Sequence, residues 1–251
     1  MKMIVTTSLG MQPHLVQEAK EIAEDLRIPY IERNKKSLTH LFQIAEHVLF
    51  VTKNRLILEQ KEGSSFFFHL DTAMLRIKAP RDPLLELIGD DIQTVLDCTM
   101  GMATDSILLS YAGYQVTALE SQKMIAYLVE AGLRKTDAGN DQINQAMRAI
   151  QVVHTDSLRF LKQSEDNSFD LIYFDPMFVA AIPESHNLDG LNPLANSSPL
   201  TLEMVQEAKR VARYQILVKA HFRDPIFEQL GFDHLVRPNQ KFHYGRIRVE
   251  D

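Results

Sequence analysis

The stretch Val95-Leu96-Asp97-Cys98-Thr99-Met100-Gly101-Met102-Ala103-Thr104-Asp105 constrains this chain more than any other. An apolar run from Thr94 to Leu96 ends in an acid, a tight turn with one glycine follows, and Ser106-Ile107-Leu108-Leu109-Ser110-Tyr111-Ala112 reads as a helix. Strand, turn, helix is the opening βα unit of a doubly wound sheet, in which ligands sit beyond the carboxyl ends of the strands. Gly101 lets the backbone turn sharply and lets a ligand approach with no Cβ in the way. The first N–H groups of the following helix lack intrahelical partners and can hold a carboxylate or a phosphate.

A second strand, Gln115 to Leu119, ends at Glu120, 23 residues after Asp97. An acid in that place takes both hydroxyls of a ribose. The three-glycine G-x-G-x-x-G pattern of a dinucleotide site is absent. Asp97, Gly101, Asp105 and Glu120 together suit a nucleoside without a pyrophosphate, and S-adenosylmethionine is a ligand of that kind.

From Thr94 onward strands and helices alternate, which predicts an α/β, doubly wound, mostly parallel Rossmann-like sheet with helices on both faces. Helices are expected at Lys123 to Lys135, Gln142 to Ala149, Leu158 to Lys162 and Pro199 to Val211. Strands are expected at Ile150 to His154, Phe169 to Asp175 and Gln215 to Lys219, with an antiparallel pair, Phe232 to Val236 and Tyr244 to Val249, at the far edge. Asp82 can cap a helix through Leu84 to Ile88 that leads into the first strand. Ahead of this main domain, residues 71–251, the chain predicts a small N-terminal α/β domain, residues 1–70. It has a strand at Met3 to Thr7, an amphipathic helix from Gln12 to Leu26 that Pro29 keeps from continuing, and a helix from Leu38 to Glu46 capped by Ser37. Strands follow at His47 to Val51, Arg55 to Gln60 and Ser65 to His69.

With 251 residues the chain can bury a sizeable core. Its single cysteine, Cys98, rules out an internal disulfide and fits a reducing compartment. No apolar run approaches a membrane span and no secretory h-region opens the sequence, so the expected place is the cytoplasm, with no membrane partner. A net charge of −6 counts mildly against a general nucleic-acid binder, although a local basic patch can still hold phosphates. The nine histidines form no metal-binding pattern, and no metal is expected. Cys98 has no partner at motif spacing and reads as buried filler.

The chemistry is expected at strand ends. Leu171-Ile172-Tyr173-Phe174-Asp175-Pro176-Met177-Phe178 is a buried strand entering a rigid turn. Transfer of a methyl group to an exocyclic amine needs acceptors aimed at its N–H bonds, an in-line approach and a stacking face. Asp175 and the Pro176 carbonyl can be the acceptors and Phe178 the face. The competing reading of Phe178 is a core residue after a turn. Asp156 has two readings, an adenine contact made with its carboxylate or the next N–H, or a helix cap. Asp105 also has two: it holds the ligand's amino group, or it is a first-turn carboxylate favoured by the helix dipole. Basic residues gather in the N-terminal third (Arg33, Lys35, Lys36, Arg76, Lys78, Arg81) and the C-terminal third (Lys219, His221, Arg223, Arg237, Lys241, His243, Arg246, Arg248). They read either as phosphate holders, with Phe222, Phe242 and Tyr244 as stacking faces, or as an ordinary solvated surface.

Together these motifs resemble a class I S-adenosylmethionine-dependent methyltransferase. Asp97 to Asp105 is similar to the D-x-T-x-G-x-G-x-D turn of the bacterial family that methylates a guanine N2 of small-subunit ribosomal RNA, and Asp175-Pro176-Met177-Phe178 matches its D-P-M-F. Lys241-Phe242-His243-Tyr244 loosely resembles its C-terminal G-H-R-F-D-I-Y segment. The resemblance runs from about residue 66 to 247. It implies cofactor contacts at Thr104 and Asp105, Glu120 and Ser121, Asp156 and Ser157, and Asp175, beside the turn residues Asp97, Thr99 and Gly101. It implies S-adenosylmethionine as cofactor and RNA, free or in the small-subunit particle, as partner. The chain departs from the family at the second turn glycine, here Ala103, and at the proline after D-P-M-F, here Val179. A methyltransferase of another RNA, a small molecule or a protein stays open, as does a non-catalytic S-adenosylmethionine- or RNA-binding protein; so does the oligomeric state.

Overall fold

The structure, a computed structural model, describes residues 2–10, 12–176 and 198–249. Its contacts divide the chain into two units. The first runs to His69 and includes Ala131–Thr136; the second holds Leu70–Glu130 and the described residues after Thr136.

In the first unit, β1 (Met3–Thr7), α1 (Pro13–Leu26), α2 (Leu38–Leu41), β2 (His47–Val51), β3 (Leu56–Gln60) and β4 (Ser65–Phe66) follow in order. The sheet order is β1-β2-β3-β4, with β1 parallel to β2 and the remaining pairs antiparallel. Helix α1 buries Leu15, Ala19, Ile22, Ala23 and Leu26, the helical-period positions of the sequence. Ser37 caps α2 as expected, its hydroxyl accepting from the His40 N–H. The helix is shorter than Leu38 to Glu46. Its chain tightens to three-residue spacing after Leu41, which sets Leu41 and Ala45 on Ile4 and Val48 in one apolar cluster. The last strand stops at Phe66 instead of His69, because pairing with β3 ends there.

The second unit contains α3 (Asp71–Lys78), a 3₁₀ turn (Leu85–Leu87), β5 (Thr94–Asp97), α4 (Thr104–Tyr111), β6 (Gln115–Glu120) and the start of α5 (Lys123–Lys135). It continues with α6 (Asp141–Ala149), β7 (Gln151–His154), α7 (Ser157–Gln163), β8 (Phe169–Phe174), α8 (Leu202–Val211), β9 (Ala212–His221), α9 (Ile226–Gln229), β10 (Asp233–Leu235) and β11 (Phe242–Arg248). The sheet order is β7-β6-β5-β8-β9-β11-β10. The first five strands in that order are parallel, and β11 runs antiparallel to both neighbours. The expected doubly wound sheet with an antiparallel edge is therefore what the chain forms. Strand order reverses between β5 and β8, the place where sheets of this kind open a crevice at their carboxyl ends.

One face of this sheet supplies Leu96, Leu119, Ile172, Phe174, Ile216 and Val218 to a cluster with Leu161 of α7 and Val205, Ala208 and Val211 of α8. At the opposite end of the strands Asp170 acts as a clamp. Its Oδ2 accepts from the Gln93 and Thr94 N–H groups at 3.0 and 2.8 Å, and its Oδ1 takes Arg213 at 2.6 Å. The expected helix at Leu84 to Ile88 is a single 3₁₀ turn, because the Asp82 carboxylate that caps the Leu84 N–H is also held by Arg76. Helix α8 starts at Leu202 rather than Pro199, since Thr201 caps it. Strand β9 extends to Ala212–His221 because β8 and β11 pair along both its sides.

Within the first unit, Gly132 faces the Phe68 ring so closely that a Cβ there would lie 2.2 Å from Phe68 Cγ. Gly132→Ala is expected to displace that ring and lower stability by about 1–3 kcal/mol, the usual range for overpacking. Denaturant unfolding measures it, and an unchanged midpoint would contradict the packing.

Candidate functional site

The second unit concentrates its polar side chains where β5, β6, β8 and β9 end. Strand β5 closes on Asp97, which is 1% exposed. The turn after it is pinned from both sides: the Cys98 N–H donates to the Tyr173 carbonyl of β8, and the Met100 N–H to the Leu119 carbonyl of β6. Gly101 has φ +49° and Ala103 φ +59°, so two of the turn's residues are left-handed. Ala103 adopts this conformation despite its Cβ, at the position where the related turn carries glycine.

Side chains then tie the turn to its neighbours. Asp97 Oδ1 accepts from the Thr99 N–H at 3.0 Å and its Oδ2 from the Ser106 hydroxyl at 2.5 Å. Thr99 Oγ1 accepts from the Asp175 N–H at 2.6 Å, joining the ends of β5 and β8. Ser157 donates to the Cys98 carbonyl at 2.5 Å and brings in the start of α7. Burial pushes the Asp97 carboxyl up to about 7, against the bonds from Ser106 and Thr99 and with the help of Asp105 and Asp175 nearby.

Beside the turn lies a buried charge network. Arg76 of α3 grips Asp82 with Nε at 2.8 Å and Nη2 at 3.0 Å, and its Nη1 pairs with Asp105. The Tyr173 hydroxyl donates to Asp105 Oδ2 at 3.2 Å. Lys219 of β9 lies 3.6 Å from Asp105 Oδ2 and 2.6 Å from Asp175 Oδ2. Burial alone would raise Asp105; Lys219 and Arg76 reverse that and hold it at about 2. Asp175 stays above the usual carboxylate range, because burial and the Asp105 charge outweigh the pull of Lys219. Lys219 is held firmly protonated by the two carboxylates despite its burial.

On the other side, Glu120 ends β6 and its Oε1 accepts from the Gln122 N–H at 2.8 Å. Burial raises its carboxyl, while backbone N–H groups of Gln122, Gly101 and Ser121 draw it down. The Ser121 carbonyl contacts His154 Nε2 at 3.2 Å. Asp156 caps α7 by accepting from the Arg159 N–H at 3.0 Å, so of its two readings the side chain takes the cap.

The sequence model of a family described as "Putative SAM-dependent methyltransferase" matches residues 43–230. The chain belongs to this methyltransferase family. The protein YpiP of Bacillus subtilis (strain 168) is 38% identical over 98% of this chain and 99% of its own length. A ribosomal RNA small subunit methyltransferase J of Buchnera aphidicola is 26% identical over 62% of this chain, and one of Acinetobacter baumannii (strain SDF) 36% identical over 34%. The matches span 65% and 30% of those two relatives' lengths. Among solved structures, a SAM-dependent methyltransferase of Neisseria gonorrhoeae superposes with a TM-score of 0.61 at 16% identity, covering 98% of this chain and 96% of that one. It has the same fold.

S-adenosylmethionine is thus the cofactor of this methyltransferase, and the donor set at the strand ends fits it. Glu120 offers a carboxylate held by backbone N–H groups, suited to a ribose diol. The backbone N–H groups of Gly101 and Ser121 hold that carboxylate, and Thr104 opens α4. Asp97, Thr99, Asp105, Ser157 and Asp175 are brought together, but largely on one another. Asp105 lies in the first turn of α4, as one of its two readings has it, and is a buried anion between two cations. Phe178 lies outside the described residues. Cys98 is buried, as expected of filler.

Three expectations need correction. Arg76 and Lys219 do not present free charge to phosphates, since Asp82, Asp105 and Asp175 take it. Tyr244 is 2% exposed and offers no stacking face, whereas Phe222 is 39% exposed. No sequence pattern pointed to Arg76, Tyr173 and Lys219 as partners of the site acids, because they come from three elements far apart in the chain. Among the described residues, no three His, Cys, Asp or Glu side chains are grouped to hold a metal, and no helix is long and apolar enough to cross a membrane.

The state of Asp97 sets a pH signature in the cofactor-free protein. Its folded pKa, about 7, lies above the unfolded value near 4, so the folded state binds the extra proton between them and stability falls as pH rises across that window. Asp97→Asn is expected to flatten that fall by up to about 1.4 kcal/mol per pH unit. Denaturant midpoints from pH 4.5 to 7.5 test it, and parallel profiles for both proteins would contradict it.

Proposed function

We propose that this S-adenosylmethionine-dependent methyltransferase acts on an exocyclic amine of RNA, the N2 of a guanine in small-subunit ribosomal RNA. The observation that carries the reading is Asp175-Pro176 at the carboxyl end of β8, with the Asp175 N–H fixed on Thr99 and its Oδ2 on Lys219. The matches to relatives named ribosomal RNA small subunit methyltransferase J support the substrate class.

In this reading Glu120 receives the ribose hydroxyls of the cofactor. Gly101, Thr104, Asp105, Ser121, Asp156 and Ser157 line its place, the last two through backbone because their side chains are engaged. The bound cofactor supplies an activated methyl group on a sulfonium. Asp175 Oδ1 and the Pro176 carbonyl accept the two N–H bonds of the target amine, which turns its lone pair out of conjugation with the ring, and Phe178 stacks on the base. Lys219 fixes Asp175 in place through its Oδ2, so the acceptor costs little reorganisation when the amine arrives. No strong base is needed: the methylated amine is acidic and its proton leaves after transfer.

A mass-spectrometric nucleoside map of ribosomal RNA from cells with and without the protein tests the substrate. Loss of one N2-methylguanosine from the small subunit is expected; an unchanged map would overturn the assignment. Asp175→Ala is expected to lower turnover about 10²–10³-fold, the scale of a lost polar contact at a reacting centre. Turnover near that of the wild type would remove Asp175 from the clamp.

A further inference from the structure

At the carboxyl end of β9 a line of rings and cations leads away from the site acids. Strands β8 and β9 pair in parallel with Phe174 opposite Val218, so Asp175 and Lys219 stand at the same level of the sheet. Lys219 Nζ lies 2.6 Å from Asp175 Oδ2 and 5.9 Å from the centre of the Phe242 ring. Phe242 pairs with His221 across the β9–β11 ladder, and their rings meet edge-on at 6.3 Å. The His221 ring lies 4.6 Å from that of Phe222, and the Arg223 guanidinium carbon lies 5.0 Å from the centre of the Phe222 ring. Phe222 follows Lys219 by three residues, which places it roughly 10 Å past Asp175 along the strand direction.

Local bonds hold this line in place. The Phe222 N–H donates to the Lys241 carbonyl at 2.9 Å, which continues the β9–β11 pairing past the strand ends. The Asp224 N–H donates to the His221 carbonyl at 2.8 Å and the Arg223 N–H to His221 Nδ1 at 3.3 Å, closing a turn on the imidazole. Arg237 Nη1 donates to the Phe242 carbonyl at 3.2 Å. Phe222 is still 39% exposed, and Arg223 is exposed beside it. A lone exposed phenylalanine is ordinary. This one sits in a fixed turn, under a guanidinium, at the end of a line of rings that starts at the site acids. Residues 219–248 carry six Lys and Arg against three Asp and Glu, in a chain whose net charge is −6. Single-stranded nucleic acid is held by such pairs of aromatic face and cation, the base on the ring and the phosphate on the guanidinium.

We propose that Phe222 and Arg223 hold a nucleotide flanking the target in a single-stranded segment of the RNA substrate. An exposed cation–π contact is weak, so the guanidinium leaves the ring for the phosphate and the face of the ring passes to the base. Phe242 and His221 connect this place to Asp175. The inference rests on the RNA reading above. It adds to that reading the residues that select a single strand over a duplex, whose bases are stacked on one another and closed to the ring.

The test is fluorescence-anisotropy titration of the full chain with two end-labelled single-stranded probes. One is a guanine-containing oligoribonucleotide of mixed sequence; the other has the same phosphodiester backbone without bases. Wild type, Phe222→Ala, Phe222→Tyr and Arg223→Gln are compared. The wild type is expected to prefer the strand with bases. Phe222→Ala is expected to weaken that strand about 5–150-fold, the range of one base–aromatic stack, and to leave the baseless strand unchanged. Phe222→Tyr, which keeps a ring, is expected to bind as the wild type does. Arg223→Gln is expected to weaken both strands and to make log affinity fall less steeply with log salt by about 0.7, one phosphate on a single strand. If Phe222→Ala does not fold, Arg223→Gln decides by its salt slope. Equal affinity of wild type and Phe222→Ala for the strand with bases, an equal loss on both strands, an unchanged slope in Arg223→Gln, or no wild-type binding to either probe would overturn the proposal. Turnover does not enter the titration, so the guanine N2 reading stands or falls separately on the nucleoside map.

Discussion

The buried Asp105 carboxylate, held between Arg76 and Lys219, is the interaction on which the edge of the main sheet depends. A carboxylate taken out of water is unfavourable unless opposite charges and hydrogen bonds replace its solvent. Here the replacements come from different places: Arg76 from α3, Lys219 from β9 and the Tyr173 hydroxyl from β8. Arg76 in turn fixes Asp82, which caps the Leu84 N–H on the way into β5. One anion thereby sets the approach to the first strand, the start of α4 and the ends of two further strands.

The same network gives Asp175 its character. Lys219 is shared between Asp105 and Asp175, so a single ammonium holds two acids close without leaving either unpaired. Thr99 fixes Asp175 from the other side through its backbone N–H. The result is an acceptor whose position is set before any substrate arrives, which is how a site can orient a weak nucleophile without a strong base. Glu120, across the β5 turn, is held by backbone donors instead of cations. Its chemistry suits a neutral diol, while the Asp105–Asp175 side is a field of paired charges.

Much of this fold was legible because its signals are local. Helical periodicity marked α1 and α5, continuous apolar runs marked β5 and β8, and the acids at Asp97, Glu120 and Asp175 marked the strand ends. The helix expected at Leu38 to Glu46 came out short because tertiary packing of Leu41 and Ala45 against Ile4 and Val48 tightened its second half. The roles of Arg76 and Lys219 were not legible. Each is read from sequence as an ordinary basic residue; the pairing of β8 with β9 brings Lys219 to Asp175, and the packing of α3 on α4 brings Arg76 to Asp105. Asp156 was ambiguous for a similar reason: whether an acid before a helix faces ligand or caps the helix depends on its rotamer.

The account rests on the cofactor lying over the carboxyl ends of β5 and β6, with Glu120 on its ribose. Calorimetric titration of S-adenosylmethionine into the wild-type protein and Glu120→Ala tests this most directly. Saturable binding to the wild type and its loss in a variant that unfolds at the wild-type midpoint is the result the account predicts. Equal affinity in the two proteins would contradict it and move the cofactor away from this edge of the sheet.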